Sequence, residues 1–113
     1  MKADMLKGHL DLLLLEVLAA GPAHGYAVIT ALRERSAGEF DLPEGTVYPA
    51  LHRLEDAGRL RSEWSSEGGR RRRVYALTDV GRAAARSERG QWVLFVRGVE
   101  AVLRGWSPAG ARS

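Results

Sequence analysis

The sequence predicts a mainly α chain with one small β-hairpin. Three observations predict it. Two segments carry apolar residues at helical spacing, near each end of the chain. A third helical stretch between them opens on Pro43-Glu44-Gly45. A glycine-tipped, period-two segment then runs into four consecutive arginines, Arg70 to Arg73.

The first helix spans about residues 6–20, with Leu6, Leu10, Leu13, Leu14, Val17 and Leu18 at three-to-four spacing. Leu12, Leu15 and Ala19 make its other side apolar too. A helix apolar nearly all round must be covered from several directions, and a second copy of the chain is the expected cover. Gly21-Pro22 stops it. The second helix runs from about His24 to Arg35 around Val28, Ile29 and Leu32, with His24 capping or anchoring its start. A short extended piece, Glu39–Leu42, leads to the third helix, which ends near Gly58. Leu60 to Trp64 alternates with period two, placing Leu60 and Trp64 on one face. Glu67-Gly68-Gly69 supplies the turn, and Val74 to Leu77 returns. Thr78 caps the last helix, and Asp79 suits its positive end. That helix reaches about residue 105, with Trp92, Phe95, Val96, Val99, Val102, Leu103 and Trp106 in a stripe. Gly90, Gly98 and Gly105 weaken it by ~1 kcal/mol each relative to alanine, so it needs a packing partner.

Helix, helix, helix, hairpin, long helix is the winged helix-turn-helix arrangement. The expected division is residues 1–78 for the winged domain, 79–106 for a C-terminal dimerisation helix and 107–113 for a disordered tail.

Composition narrows the functional classes. The chain has 113 residues, the size of one domain. It lacks cysteine, which excludes disulfides, cysteine zinc sites and a thiol nucleophile and fits a cytoplasmic location. Leu10–Ala20 is apolar but is broken by Asp11 and Glu16 and is shorter than the ~20 residues of a membrane span. No signal peptide is expected. His9, His24 and His52 are not at metal-ligand spacing, and no nucleophile–base set, P-loop or dinucleotide fingerprint appears. The expectation is a protein without catalysis, metal or cofactor.

The net charge is only +3, but 15 of the 17 basic residues are arginine. Four of them crowded on one hairpin repel one another, and phosphates or a narrow minor groove offset that repulsion. The third helix turns Val47, Leu51 and Leu54 inward. Its opposite face holds Gly45, Pro49, His52, Arg53 and Asp56, flanked by Thr46 and Tyr48. Its small and hydroxyl groups permit close approach to DNA, and Arg53 is long enough for a phosphate or a guanine. Pro49 removes one backbone bond within the first turns and fixes the helix start. Trp92 either packs in a dimer seam or lines an aromatic slot between two copies.

The stretches Leu6 to Leu15, Gly21-Pro22-Ala23-His24-Gly25-Tyr26, Gly45 to Glu55, Gly68 to Arg72 and Tyr75-Ala76-Leu77-Thr78 resemble the PadR family of transcriptional regulators, short-tailed branch, over about residues 5–104. The resemblance implies a homodimeric winged-helix repressor, often of detoxification or efflux genes, that leaves its DNA on binding an aromatic compound. It implies DNA contacts at Tyr26, Thr46, Tyr48 and Arg53 and at the wing arginines Arg70, Arg71, Arg72 and Arg73; the helix face itself adds Pro49. The expected effector site is Trp92, Phe95, Val96 and Val99. The expected dimer interface is Leu10, Leu14, Trp92, Val96, Val99 and Leu103. The expected partners are an inverted-repeat operator in double-stranded DNA, a second copy and a small aromatic effector, with no membrane. The alternatives are a ligand-independent repressor and a winged-helix protein–protein adaptor.

Overall fold

The computed structural model describes Leu6 and residues 8–106. The expected disordered tail, 107–113, lies outside the described residues. The elements are α1 (Leu10–Ala19), β1 (Ala23–His24), α2 (Gly25–Arg35), α3 (Glu44–Asp56), β2 (Leu60–Ser65), a 3₁₀ turn (Glu67–Gly69), β3 (Arg72–Leu77) and α4 (Asp79–Val102). Among the described residues no helix is long and apolar enough to cross a membrane.

Helix α1 is the hub. It packs against α2, α3, β3 and α4, and Leu14, Leu15, Val17 and Leu18 are buried. Much of the cover that the sequence assigned to a second copy is thus supplied by the chain itself, while Leu12 and Leu13 stay half-buried and Ala19 exposed. Apolarity all round dictates burial on several sides, but it does not say whose atoms do the burying. Val28, Ile29 and Leu32 of α2 and Val47, Ala50, Leu51 and Leu54 of α3 complete the helical core. Leu60, Tyr75 and Leu77 join it from the sheet.

The sheet has three antiparallel strands in the order β1-β3-β2, one more than the hairpin expected from the sequence. Ala23 pairs with Tyr75 and His24 with Val74. A two-residue strand is too short for alternation to reveal. It forms because Gly21-Pro22 ends α1 and leaves Ala23-His24 extended beside β3. The hairpin register runs from Leu60↔Leu77 to Ser65↔Arg72. Gly68 and Gly69, with φ of 76° and 80°, make the turn at its tip.

Thr78 caps α4, its Oγ1 accepting the Gly81 N–H at 3.0 Å. The same hydroxyl donates to the Gly58 carbonyl at 2.6 Å, which ties the start of α4 to the end of α3. Gly81 lies hard against Arg59. A β-carbon there would sit 3.0 Å from the Arg59 carbonyl carbon and nearer still to its oxygen. Beyond Ala85, α4 has no buried residue and runs out past the body of the protein.

Two glycines of α4 should therefore respond in opposite senses. Gly81→Ala should destabilise by about 1–3 kcal/mol in urea unfolding, because backbone must move. Gly90, where an added β-carbon would meet nothing within 4 Å, should gain about 0.5–1 kcal/mol on replacement by alanine. Equal effects would show that the close approach at Gly81 does not set the angle of α4.

Candidate nucleic-acid interface

The inward residues of α3 leave its other face open. Gly45, Pro49, His52 and Arg53 are exposed, and Thr46 and Tyr48 are half-buried. Tyr48 lies across Gly25, where a β-carbon would fall 2.6 Å from the Tyr48 Cζ. Glycine at the start of α2 thus lets the phenol ring bridge two helices. Tyr26, one residue on, is exposed. Pro49 sits in the second turn of α3, and the helix continues through it.

The wing has a built structure of its own. Because Trp64 pairs with Arg73, their side chains share a face. The Arg73 and Arg71 guanidinium carbons lie 5.5 Å and 4.6 Å from the Trp64 ring centroid. Trp64 is 54% exposed, so its faces are covered by cations rather than by core. Arg73 Nε donates to Ser62 Oγ at 2.7 Å, the Ser62 hydroxyl donates to Glu55, and Arg73 Nη2 is 3.8 Å from the same carboxylate. Arg73 is thereby committed to the far end of α3. Among the described residues no carboxylate lies within ion-pair distance of Arg70, Arg71 or Arg72.

These two parts face each other. A cleft of about 590 Å³ opens between them, lined by His24, Gly25, Tyr26, Glu44, Tyr48, Trp64 and Arg70 to Arg73. Its charged lining is basic apart from Glu44 at the first turn of α3, and Tyr26, Tyr48 and Trp64 supply aromatic surface. His24 stands at its wall. Its Nδ1 accepts the Ala27 N–H at 3.2 Å and caps α2, as its position suggests, while Arg72 Nη1 lies 2.9 Å from Nε2. Burial, and then the Arg72 charge, hold the ring below the ordinary histidine value, which favours the neutral form.

Arg53 is not at the cleft. Its two terminal guanidinium nitrogens donate to the two carboxylate oxygens of Asp11 in α1, at 3.0 and 2.7 Å. The bidentate bond holds its guanidinium above the usual value. In the sequence Arg53 looks free for DNA; in the fold it has a partner 42 residues away.

The C-terminal candidates divide. Trp92 and Phe95 meet His9, with ring centroids 5.0 Å (His9–Trp92), 5.8 Å (His9–Phe95) and 5.7 Å (Trp92–Phe95) apart. They line a groove of about 290 Å³ with Gly8, Leu12, Glu88 and Gln91. Val99 lies instead in a shallow apolar groove of about 490 Å³ with Leu94, Phe95, Gly98, Val102 and Leu103. Val96 is half-buried and lines neither. Of the expected dimer residues, Leu14 is 0% exposed within its own chain. It has no surface to offer a second copy, and that assignment is corrected. Leu10 is half-buried against the core.

Trp64 is a site residue that the sequence pattern did not single out. The available signal was an aromatic residue directly across a hairpin from a basic run. Among the described residues no group of His, Asp and Glu is arranged to hold a metal ion.

A helix-turn-helix whose third helix shares a cleft with a basic wing defines a winged-helix DNA-binding protein. The sequence matches the transcriptional regulator PadR-like family over residues 14–87, and the chain belongs to that family. Its fold is similar to that of a PadR family transcriptional regulator from Eggerthella lenta, with TM-score 0.79 and 33% identity over 91% of this chain and 88% of that one. It is also similar to a transcriptional regulator from Clostridium thermocellum, with TM-score 0.83 and 25% identity over 90% and 100%. The transcriptional regulator Rv3488 of Mycobacterium tuberculosis is 47% identical over 57 residues, 50% of this chain and 53% of that protein. The family consists of DNA-binding transcriptional regulators, not enzymes.

The Asp11–Arg53 pair is solvent-facing, so its contribution to stability is small. A double-mutant cycle with Asp11→Asn and Arg53→Gln should give a coupling of about 0.5–1 kcal/mol that shrinks in molar salt. A coupling of zero at low salt would remove this pair as a tie between α1 and α3.

Proposed function

We propose that this chain is a homodimeric cytoplasmic repressor that binds an inverted-repeat operator and is released from it by a small aromatic effector. The observation that carries the reading is the single cleft shared by the start of α3 and the wing. The N-terminal half of α3, with Thr46, Tyr48 and Pro49, enters a major groove, and Tyr26 lies beside it. Arg70, Arg71 and Arg72 lie on flanking phosphates. Arg53 joins them only by exchanging Asp11 for a phosphate, and Arg73 only by leaving Glu55. In a two-fold dimer the two recognition helices meet half-sites about 34 Å apart.

The exposed apolar stripe of α4 supports the second copy, because a monomer gains nothing from presenting Phe95, Val99, Val102 and Leu103 to water. In this reading residues 79–106 form the dimerisation helix, on a reader made of residues 1–78. Trp92 and Phe95, with Val96 and Val99 nearby, supply the effector surface. An aromatic ligand there changes the separation of the recognition helices and so favours the free form. Control of detoxification or efflux genes follows from the family resemblance.

Replacing Arg71 and Arg72 together by alanine should weaken binding to all duplexes alike. The slope of log affinity against log salt should fall by about 0.9 for each phosphate no longer neutralised. A slope identical to that of the unaltered protein would take the wing out of DNA binding.

Sedimentation equilibrium should return twice the 12.4 kDa chain mass. Planar aromatic compounds should quench tryptophan fluorescence and lower duplex affinity, and Trp92→Ala should abolish both responses. A monomer at micromolar concentration, or a broad aromatic panel with no response, would overturn the dimer or the effector part respectively.

A further inference from the structure

His24 presents a hydrogen-bonding contradiction that points outward. Its Nδ1 accepts the Ala27 N–H, so that nitrogen carries no proton. A neutral imidazole must then carry its proton on Nε2. Yet Nε2 lies 2.9 Å from Arg72 Nη1, and a guanidinium nitrogen is a donor with no lone pair. Two N–H groups face each other with no acceptor between them. The other tautomer moves the conflict without removing it. Nε2 then accepts from Arg72, but Nδ1–H opposes the Ala27 N–H, and α2 loses its cap. Protonation makes both nitrogens donors beside a second cation. Among the described residues, no protonation state of this ring satisfies both neighbours.

An anionic oxygen satisfies both. Placed beside Nε2–H and the Arg72 guanidinium, it accepts from each and leaves Nδ1 free to cap α2. The pair lines the cleft that also holds Tyr26, Tyr48 and the remaining wing arginines. Arg72 has no carboxylate within ion-pair distance among the described residues. We propose that His24 and Arg72 together clamp one backbone phosphate of duplex DNA at the wall of the wing cleft. His24 thus has two roles at its two nitrogens: Nδ1 holds the start of α2, and Nε2–H binds the phosphate.

This inference rests on the DNA-binding reading and adds to it a residue that charge counting does not find. A neutral imidazole releases no counterion when it meets a phosphate, so it leaves the salt slope alone and acts on affinity.

The test separates the two nitrogens. In His24→Asn the side-chain oxygen stands near Nδ1 and keeps the cap, but nothing replaces Nε2–H. In His24→Gln the amide nitrogen stands near Nε2, but the cap is weakened. Binding of a fluorescein-labelled duplex from upstream of the protein's own gene is followed by anisotropy, beside thermal melting. His24→Asn should keep its Tm and lose about tenfold in affinity, as expected for one hydrogen bond to a charged group. Its salt slope should be unchanged. His24→Gln should lose Tm and keep most of its affinity. Arg72→Ala should lower the salt slope by about 0.9. Adding His24→Asn to Arg72→Ala should cost less than His24→Asn alone, because both donors serve one phosphate.

Affinity that follows Tm across the two histidine variants would overturn the proposal and leave His24 a cap alone. Additive losses would overturn the shared phosphate. If inorganic phosphate shifts the His24 ring nitrogen resonances as the duplex does, the clamp is a free-phosphate site and the DNA assignment fails. No duplex binding by the unaltered protein would overturn the DNA reading itself, a result distinct from all of these.

Discussion

Burial of α1 within its own chain is the constraint on which the rest depends. Ten residues supply four fully or nearly enclosed aliphatic side chains, and α2, α3, β3 and α4 are each held by contact with that one rod. Its two acids reach out from this centre. Asp11 holds Arg53 of α3, and Glu16 accepts from Arg89 of α4, with Nε at 3.0 Å. Each bond is partly solvent-exposed and adds little to stability. Each nevertheless joins a neighbouring helix to α1, which is itself too well packed to yield. The helix at the DNA cleft and the helix carrying the exposed apolar stripe are therefore referenced to the same rigid part.

The cleft combines rigid and uncommitted groups. Trp64, Arg73, Ser62 and Glu55 form a connected set that fixes the wing to the end of α3. Arg70, Arg71 and Arg72 project from that support without acidic partners among the described residues. Like charges so held favour an anion without having to leave internal ion pairs. Gly25 contributes by absence, since only a missing side chain lets Tyr48 lie across the start of α2.

The helices were legible because their signals are local and periodic. Val47, Leu51 and Leu54 lie on one face by spacing alone, and all three are buried. The caps at His24 and Thr78 were legible because a capping residue stands beside the helix it caps. What escaped was non-local. Nothing in the spacing of Arg53 announces Asp11, and a guanidinium with an internal partner looks the same in sequence as one awaiting phosphate. Leu14 repeats with Leu10 along α1, but the rotation of that helix in the fold decides which of them meets water. Trp64 shares a face with Leu60, yet at the wing tip that face has no core beneath it, so arginines cover the ring. The strand at Ala23-His24 is defined by β3 and has no pattern of its own.

The way α4 is attached divides it into two parts with different tolerances. Its first two turns are fixed by Gly81, Ala85 and the Thr78 cap. Past them the helix contributes no buried side chain to the body of the protein. Changes in the outer half that spare the Arg89–Glu16 bond and the packing of Trp92 and Phe95 on His9 leave the core of the winged domain untouched, so the rest of its surface is free to drift in shape and polarity while the cleft at the other end stays folded. A single short chain thereby holds one region where variation is penalised by unfolding and another where it is limited only by what that surface must meet.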